Sequence, residues 1–231
     1  MTPPSPRPLA LFDLDHTLLD GDGDDLWCRF LIRQGLQGEE LAGHNERMGS
    51  DYRAGRVSGQ AFCDFYAGLL GGRSPADWRA WQRHFLAEDI RPRLQAAARA
   101  LVDTHRQAGH ELLLTTASNT VIAELTAMEL GFTQWLTTEL ELAGGVFTGR
   151  VLGTPNMREG KLSRLLAWLG ERGRLPGELD HAWFYSDSIN DLPLLARVGH
   201  PVAVNPDARL HQYAVAQGWP VIDLLGRPVG A

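Results

Sequence analysis

A short apolar run near the start of the chain ends in two carboxylates. Residues 9–12 are apolar throughout, and Asp13 and Asp15 follow them almost directly. A short apolar run bounded by polar turn residues is typical of a buried strand. The pattern therefore predicts a strand with both carboxylates at or just past its carboxyl end. In an open α/β sheet, ligands bind at that edge.

The pattern changes to helical spacing after this strand. Apolar residues recur on one helix face at Leu26, Trp27, Phe30 and Leu31. Further helices are predicted near residues 39–54, 58–70 and 75–87, with glycines between them. No further convincing strand is predicted between residue 24 and about residue 89. Residues 21–90 are therefore expected to form a helical domain inserted after the first strand, and residues 1–20 with 91–231 the other domain.

Beyond residue 90 the pattern alternates between strand and helix. Strands are predicted over 111–116, 181–185, 201–204 and 220–224, with a hairpin within 139–151. Helices are predicted over 93–108, 120–130, 161–171 and 192–197. Such alternation is typical of a mostly parallel sheet with helices on both faces. We therefore expect an α/β fold with a Rossmann-like parallel sheet core.

The composition excludes several classes of partner. The formal net charge of -6 over 231 residues predicts no basic surface for nucleic acid. No apolar stretch reaches the roughly 18 residues of a membrane-spanning helix, so no membrane contact is expected. Two cysteines, Cys28 and Cys63, are too few for a disulfide framework and are expected to be buried thiols of a cytoplasmic protein. The proline-rich residues 1–8 are expected to be a disordered lead-in.

Two polar clusters in the second half of the chain could bind an anion. Thr116, Ala117 and Ser118 follow a predicted strand and open a helix, where hydroxyls and free N–H groups suit phosphate. Plain helix capping by Ser118 or Asn119 is the alternative. Lys161 lies at a helix start, where a cation opposes the helix dipole. It therefore needs an anionic partner, unless it is an ordinary surface lysine.

A second carboxylate pair, Asp187 and Asp191, also follows an apolar strand. Oxygen-rich clusters with few soft ligands suit Mg²⁺ rather than zinc or iron. The histidines show no metal-like spacing. His16 lies inside the first motif and could touch substrate or solvent. The others are expected to be structural, namely His44, His84, His105, His110, His181, His200 and His211.

Taken in order, these clusters resemble the motifs of the haloacid dehalogenase-like (HAD) superfamily. Those motifs are D-x-D-x-T, a strand-end Ser or Thr, a Lys, and D-x-x-x-D. The matching residues are Asp13, Asp15, Thr17, Thr116, Lys161, Asp187 and Asp191. The helical insert resembles the cap domain of the phosphoserine-phosphatase-like branch. The resemblance implies a phosphatase acting on a small phosphorylated metabolite.

The resemblance also implies roles for the acidic residues. Asp13 would be the nucleophile that forms an aspartyl-phosphate, and Asp15 the general acid and then the general base. Mg²⁺ would be held by the side chains of Asp13 and Asp187 and by the backbone carbonyl of Asp15. Asp191 would orient Lys161 or a metal-bound water.

The remaining implied roles concern the phosphate and its surroundings. Phosphate oxygens would be held by the hydroxyl of Thr116 and by the backbone amide of Ala117, which follows it. Ser118, the next residue, would also line the phosphate site. Lys161 would balance the charge of the nucleophile and the phosphate. Asn190 would touch the phosphate, and Thr17 would brace the loop rather than react.

Substrate choice is expected to depend on the cap. In phosphoserine phosphatases an acidic residue nine positions after the nucleophile meets the substrate amine, and Asp22 occupies that position here. The arginine that meets the substrate carboxylate is missing, since its expected position falls near Tyr66. Arg47, Arg53 and Arg56 are possible substitutes. An amine-bearing substrate such as histidinol phosphate or phosphoserine is therefore one hypothesis, and a solvated acidic loop around Asp22 is the other.

Three other functions share parts of this pattern. A phosphotransferase or phosphomutase would use the same aspartyl-phosphate and pass the phosphoryl group to an alcohol. A receiver-like signalling protein would be phosphorylated without rapid hydrolysis, but Asp15 and the large insert argue against it. A catalytically silent binding protein is disfavoured because all four motifs are intact.

Overall fold

The computed structural model of the chain describes residues 7–226. Most of the predicted lead-in, residues 1–6, lies outside the described residues. The strands are β1 (Leu9–Phe12), β2 (Glu111–Asn119), β3 (Trp135–Thr138), β4 (Leu140–Ala143), β5 (Val146–Val151), β6 (Trp183–Ser186), β7 (His200–Val204) and β8 (Val221–Ile222). The helices are α1 (Gly23–Arg33), α2 (Glu40–Arg53), α3 (Gly59–Gly68), α4 (Pro75–Phe85), α5 (Ala96–Gln107), α6 (Thr120–Glu129), α7 (Glu159–Glu171), α8 (Leu192–Leu195) and α9 (Ala208–Gln217).

Six strands form one parallel sheet in the order β3-β2-β1-β6-β7-β8. The first strand lies inside the sheet, where Phe12 pairs with Leu114 of β2 and Tyr185 of β6. The segments that follow these three strands therefore emerge side by side at one edge. This topology confirms the predicted α/β fold with a parallel sheet core.

Alternate residues of β1 face opposite apolar layers, as the pleat of a strand requires. Ala10 and Phe12 belong to the layer that also contains residues of α5 and α6. Leu9 and Leu11 belong to the layer formed with α7, α8 and α9. All four side chains are fully buried, and each buried leucine contributes about 1.5–3 kcal/mol of hydrophobic stabilisation. This burial on both sides fixes the strand that carries the site.

Four helices, α1 to α4, are inserted between β1 and β2. Their shared core is aromatic, with Trp27 and Phe30 of α1 packed against Trp78 and Phe85 of α4. The insert also contacts the sheet region, since Gln82 Nε2 donates a hydrogen bond to a backbone carbonyl in α6 at 2.7 Å. These four helices lie within the range 21–90 that the sequence predicted for a helical domain. The boundary between this domain and the rest of the chain stays a prediction.

Several element bounds differ from the sequence prediction. The strand β3 was not predicted, because its four residues merge with the β-prone run that follows them. Helix α9 was also missed, although Asp207 caps it by accepting the N–H groups of Arg209 and Leu210. The second strand continues beyond residue 116 to Asn119, while β8 has only two residues instead of the predicted 220–224.

The structure also bears on the expectations for the cysteines and for membrane-spanning helices. Cys28 and Cys63 are buried free thiols, as predicted. Among residues 7–226, none of the helices combines the length and apolar character that a bilayer crossing requires.

Candidate active site

Asp13 continues β1 at the centre of the sheet edge. Its backbone N–H donates to the carbonyl of Tyr185 at 2.9 Å, and its side chain is buried. One carboxylate oxygen accepts a hydrogen bond from Lys161 Nζ at 2.9 Å, and the other accepts one from Thr17 Oγ1 at 3.1 Å. The carboxylate of Asp13 is therefore held in place by two side chains.

Lys161 lies in the first turn of α7, and its side chain is 2% exposed. The ammonium group contacts Asp191 Oδ2 at 2.6 Å as well as Asp13. Burial alone would lower the pKa of Lys161, but the charges of the two carboxylates raise it above its ordinary value. Asp13 and Asp191 are therefore the anionic partners that the sequence predicts for a lysine at a helix start.

Thr17 connects the two carboxylate motifs. Its hydroxyl lies 3.1 Å from Asp13 Oδ2 and 3.4 Å from Asp187 Oδ1, and it accepts the backbone N–H of Asp187 at 3.0 Å. The hydroxyl has one proton to donate, so the two carboxylates share it. This geometry supports the predicted bracing role, because one side chain holds both loops.

Asp13 and Asp187 form a pair suited to a divalent cation. Burial raises the pKa of Asp187 well above its usual range, and repulsion from the Asp13 carboxylate raises it further. A cation between the two groups would remove that repulsion. The described residues contain no group of three His, Cys, Asp or Glu side chains suited to a metal. The pair fits Mg²⁺, which binds proteins through one or two carboxylates and keeps several waters.

Asp15 has partners of a different kind. One oxygen accepts the backbone N–H of Gly23 at 2.7 Å, and the other accepts hydroxyls from Ser118 at 2.9 Å and Thr116 at 3.2 Å. Burial raises the pKa of Asp15 to about 7, with further contributions from the charges of Asp22 and Asp13. A carboxyl group with such a pKa can carry a proton near neutral pH.

Two of the three residues predicted to bind phosphate form hydrogen bonds with Asp15. The hydroxyls of Thr116 and Ser118 both reach Asp15, whereas Ala117 borders the open cavity. Because the strand runs to Asn119, it is Asn119 that caps α6, by accepting the N–H groups of the next turn. The structure thus brings the three predicted residues to the site, but only Ala117 borders the cavity.

A cavity of about 840 Å³ separates the sheet edge from the helical insert. This volume is within the range of small-molecule sites. The sheet side supplies Asp13, Asp15, Ala117, Lys161, Asp187, Ser188, Asn190 and Asp191. The insert side supplies Asp22, Asp24, Asp25, Asn45, Glu46, Tyr52, Arg53, Phe62 and Tyr66, among others. His16 also borders the cavity, in a left-handed backbone conformation with φ 57°.

Asp22 borders the cavity, but its carboxylate is used locally. Its Oδ1 accepts the backbone N–H of Asp25 at 3.0 Å and caps α1. Asp24, which the sequence indicated only as part of the acidic loop around Asp22, is more deeply buried. Its pKa is raised well above its usual range by burial and then by the charges of Asp22 and Asp15.

The candidate arginines are divided by the fold. Arg53 borders the cavity, whereas Arg56 pairs with Asp51 at 2.7 Å on an exposed surface. Tyr66, near the position expected for an arginine, borders the cavity and donates its hydroxyl to Asn45 at 3.0 Å. A further arginine, Arg158, was not anticipated from the sequence.

Arg158 links the segment before α7 to the insert. Its Nε donates to the Tyr52 hydroxyl at 2.9 Å, and its guanidinium lies 4.8 Å from the centre of the same ring. The backbone of this residue is left-handed, with φ 50°. Such a conformation in a residue other than glycine is uncommon and is found at functional sites.

Asn156 forms hydrogen bonds to the strands β2 and β3 next to the site, and the sequence did not predict this role. Its side-chain Nδ2 lies 3.0 Å from the carbonyl of Thr116, 2.9 Å from that of Leu136 and 3.0 Å from Thr115 Oγ1, and these three acceptors share its two protons. The residue is fully buried, and its own N–H donates to Thr138 Oγ1 at 3.0 Å. It therefore ties β2 to β3. No sequence pattern marks a single asparagine in a loop.

Comparisons with known proteins extend over most of the chain. The model of the haloacid dehalogenase-like hydrolase family matches residues 10–196. A histidinol-phosphatase of Neisseria meningitidis serogroup C is 41% identical over 217 residues, covering 93% of this chain and 98% of that protein. A phosphoserine phosphatase of Mycobacterium tuberculosis is 33% identical over 232 residues, covering 93% and 70%.

Solved structures give the same fold. A protein of unknown function from Bordetella pertussis Tohama I superposes with a TM-score of 0.91 at 40% identity, covering 96% of this chain and 100% of that chain. A substrate-bound phosphoserine phosphatase superposes with a TM-score of 0.68 at 16% identity, covering 94% and 92%. The second likeness concerns the fold alone.

Proposed function

The chain belongs to the haloacid dehalogenase-like hydrolase family, and we propose that this phosphatase cleaves the phosphate monoester of a small metabolite through an aspartyl-phosphate. The observation that carries the proposal is the contrast between two neighbouring carboxyl groups. Asp13 is paired with the ammonium of Lys161, while the carboxyl group of Asp15 accepts hydrogen bonds from an amide and hydroxyls and has a pKa of about 7. The first group suits attack, and the second suits proton transfer.

In the first step, a carboxylate oxygen of Asp13 attacks phosphorus. The new bond joins this oxygen to phosphorus as the bond between phosphorus and the ester oxygen breaks. The departing alcohol oxygen takes the proton of Asp15. Because Gly23, Ser118 and Thr116 all hold the Asp15 carboxyl, its orientation is set before substrate binds.

In the second step, Asp15 acts in its deprotonated form. It takes a proton from a water molecule, whose oxygen attacks phosphorus as the bond to Asp13 breaks. Inorganic phosphate leaves, and Asp13 returns to its carboxylate form. Throughout both steps Lys161 holds a positive charge beside Asp13 and the phosphate oxygens, and Asp191 and Ser186 fix its position.

The side chains of Asp13 and Asp187 and the backbone carbonyl of Asp15 would hold Mg²⁺. When bound, the ion would neutralise part of the phosphate charge and screen the nucleophile from it. Asn190, which borders the same cavity, would contact the phosphate, as would the backbone amide of Ala117.

The helical insert would act as the cap of the site. Its residues form one wall of the cavity, so substrate bound there is enclosed between insert and sheet. Enclosure excludes water other than the attacking molecule. We assign residues 21–90 to this cap and residues 1–20 with 91–231 to the core. The expected cytoplasmic location stays a prediction from the sequence.

The substrate is proposed to carry an amine, as histidinol phosphate and phosphoserine do. Support comes from the acidic residues of the insert side of the cavity and from the likeness to a histidinol-phosphatase over almost its whole length. Histidinol phosphate has no carboxylate. It therefore fits a site in which Tyr66 lies near the position expected for a carboxylate-binding arginine.

Hydrolysis of p-nitrophenyl phosphate tests the basic activity. The wild-type chain is expected to release nitrophenol in the presence of Mg²⁺ and to stop when the metal is chelated. Asp13→Asn should abolish turnover. The matched control is Asp180→Asn, which changes an exposed aspartate paired with Arg197. Turnover that survives Asp13→Asn, or that ignores chelation, would contradict the mechanism. Transfer to an added alcohol in place of water would instead identify a phosphotransferase.

A further inference from the structure

Three aspartates lie around the start of α1, and two of them have local partners. Asp22 accepts the N–H of Asp25 and caps the helix. Asp25 accepts a hydrogen bond from Asn45 Nδ2 at 2.8 Å and forms an ion pair with Arg29 at 2.8 Å. Both carboxylates therefore have hydrogen-bond partners within the insert itself.

Asp24 differs from both neighbours. Its side chain borders the cavity, and the residue is only 7% exposed. Its Oδ1 is buried and has no hydrogen-bond partner among residues 7–226, while its Oδ2 has one long contact, 3.4 Å from Ser118 Oγ. Burying a carboxylate without a partner costs several kcal/mol of stability. Such a group is kept where a ligand supplies the missing partner.

The position of Asp24 is tied to that of Asp15. The hydroxyl of Ser118 contacts Asp15 Oδ2 at 2.9 Å and Asp24 Oδ2 at 3.4 Å, so one side chain touches both carboxyl groups. In the proposed reaction Asp15 gives its proton to the ester oxygen that leaves. A cationic group that reaches Asp24 must therefore be attached a short distance from that oxygen.

This spacing selects a class of substrate. An amine on the carbon next to the ester-bearing carbon is separated from the ester oxygen by two carbons. That separation suits two carboxyl groups that share one serine. An amine at the far end of a long chain would lie beyond the reach of Asp24.

We propose that Asp24, rather than Asp22, accepts the ammonium group of a β-aminoalkyl phosphate and selects it over substrates without the amine. This inference rests on the proposed function, because the leaving oxygen at Asp15 sets the distance. The sequence placed the amine contact at Asp22, but one oxygen of that carboxylate caps α1.

The test compares two substrates that differ only in the amine. L-histidinol phosphate and its analogue without the amine are assayed in Mg²⁺ with the wild-type chain, Asp24→Asn and Asp22→Asn. The measured quantity is the ratio of kcat/KM for the two substrates. A charge-assisted hydrogen bond corresponds to about 10- to 100-fold in this ratio, and Asp24→Asn should remove that factor. Asp22→Asn keeps a good helix cap and should keep the ratio.

The stability of the free protein gives a second readout. Burial disfavours the charged form of Asp24, which the unfolded chain adopts at neutral pH, so folding carries a cost that Asp24→Asn removes. The variant should therefore raise Tm at neutral pH even as it lowers selectivity. An aspartate with a purely structural role would lower Tm instead. If Asp24→Asn does not fold, Asp24→Ser removes the same charge, and both expectations apply to it.

Each outcome separates this inference from the proposed function. If the wild-type chain hydrolyses both substrates with equal kcat/KM, or if Asp22→Asn rather than Asp24→Asn removes the ratio, the role of Asp24 is wrong and the phosphatase mechanism stands. If the wild-type chain hydrolyses neither substrate nor p-nitrophenyl phosphate, the proposed function is wrong, and the inference is wrong with it.

Discussion

The backbone N–H of Gly23 donates to Asp15 Oδ1 at 2.7 Å, so the first residue of α1 holds the proposed proton donor at the sheet edge. A Cβ atom on residue 23 would lie 2.9 Å from that same oxygen and 3.2 Å from Ile122 Cγ2. Glycine is therefore required here by the close approach of the insert to the sheet edge. The helical insert contributes directly to the position of a reacting group.

Gly23→Ala should displace the Asp15 carboxyl group. A misplacement of about 1 Å in a reacting group can cost on the order of 100-fold in rate, so kcat on an alkyl phosphate should fall by about 10- to 100-fold. The control is Gly68→Ala in α3, where a Cβ meets no atom within 4 Å. The measurement is kcat for both variants, together with Tm. An unchanged kcat in Gly23→Ala would show that this contact does not position the acid.

Lys161→Met should lower both activity and stability. The substitution leaves the buried carboxylates of Asp13 and Asp191 facing each other without a cation. Breaking a buried ion pair in this way costs about 3–5 kcal/mol, measured as the free energy of unfolding in urea.

A double variant separates charge repulsion from lost packing. Adding Asp191→Asn to Lys161→Met removes one of the two uncompensated charges. The double variant should therefore be more stable than Lys161→Met alone, while still lacking activity. If the two substitutions instead destabilise additively, the contact of 2.6 Å between Lys161 and Asp191 carries no coupling energy.

Asn156→Leu should weaken the floor of the site. It leaves the buried carbonyls of Thr116 and Leu136 without their donor, and each unpaired group costs about 1–3 kcal/mol. Because Thr116 also contacts Asp15, kcat should fall along with the free energy of unfolding. Asn156→Asp tests whether the donor itself is needed. It keeps the shape of the side chain but places a carboxylate oxygen against the carbonyl oxygens of Thr116 and Leu136. An Asn156→Leu protein with wild-type stability would contradict this account.

The buried imidazole of His105 should make folding sensitive to acid. It lies 2.7 Å from the Tyr185 hydroxyl and 2.7 Å from a ring nitrogen of His110. Burial lowers the pKa of His105 to about 4, and the neighbouring His110 contributes to the shift. Between pH 4 and the ordinary histidine pKa of about 6.5, the unfolded chain binds a proton that the folded chain does not.

Stability should therefore rise with pH across that window and be lost as pH falls through it. The loss due to His105 alone is about 2 kcal/mol at pH 5 relative to pH 7.5. Urea unfolding at both pH values measures it. His105→Phe should reduce the difference, whereas His44→Gln, at an exposed position, is the control. An equal pH dependence in His105→Phe and the wild type would assign the effect to other groups.

The sheet edge was predictable because its signals are local and its geometry is general. Apolar runs ending in Asp13 and Asp187 predict strands, and parallel strands bring their carboxyl ends together. The position of Lys161 at a helix start already indicated an anionic partner, and the resemblance to a known family supplied its role. Neither step requires knowledge of how the insert packs.

The parts that were missed depend on contacts between distant segments. Asp22 and Asp24 both border the cavity, but Asp22 caps α1 whereas Asp24 is buried. This difference depends on where α1 begins, and a run of acidic residues does not fix that position. The phosphate contacts assigned to Thr116 and Ser118 stay a prediction, but no local pattern indicated that both hydroxyls also reach Asp15. Asn156 has no pattern at all, since its partners come from two strands that only the fold brings together.

The most direct test of the central claim is the identification of the phosphorylated residue during turnover. The wild-type chain is mixed with substrate and Mg²⁺, quenched in acid within one turnover, digested and analysed by mass spectrometry. We predict a peptide that carries one added phosphoryl group on Asp13, that loses it on treatment with hydroxylamine, and that is absent from Asp13→Asn. A phosphoryl group on another residue, or continued turnover by Asp13→Asn without any phosphorylated peptide, would contradict the account.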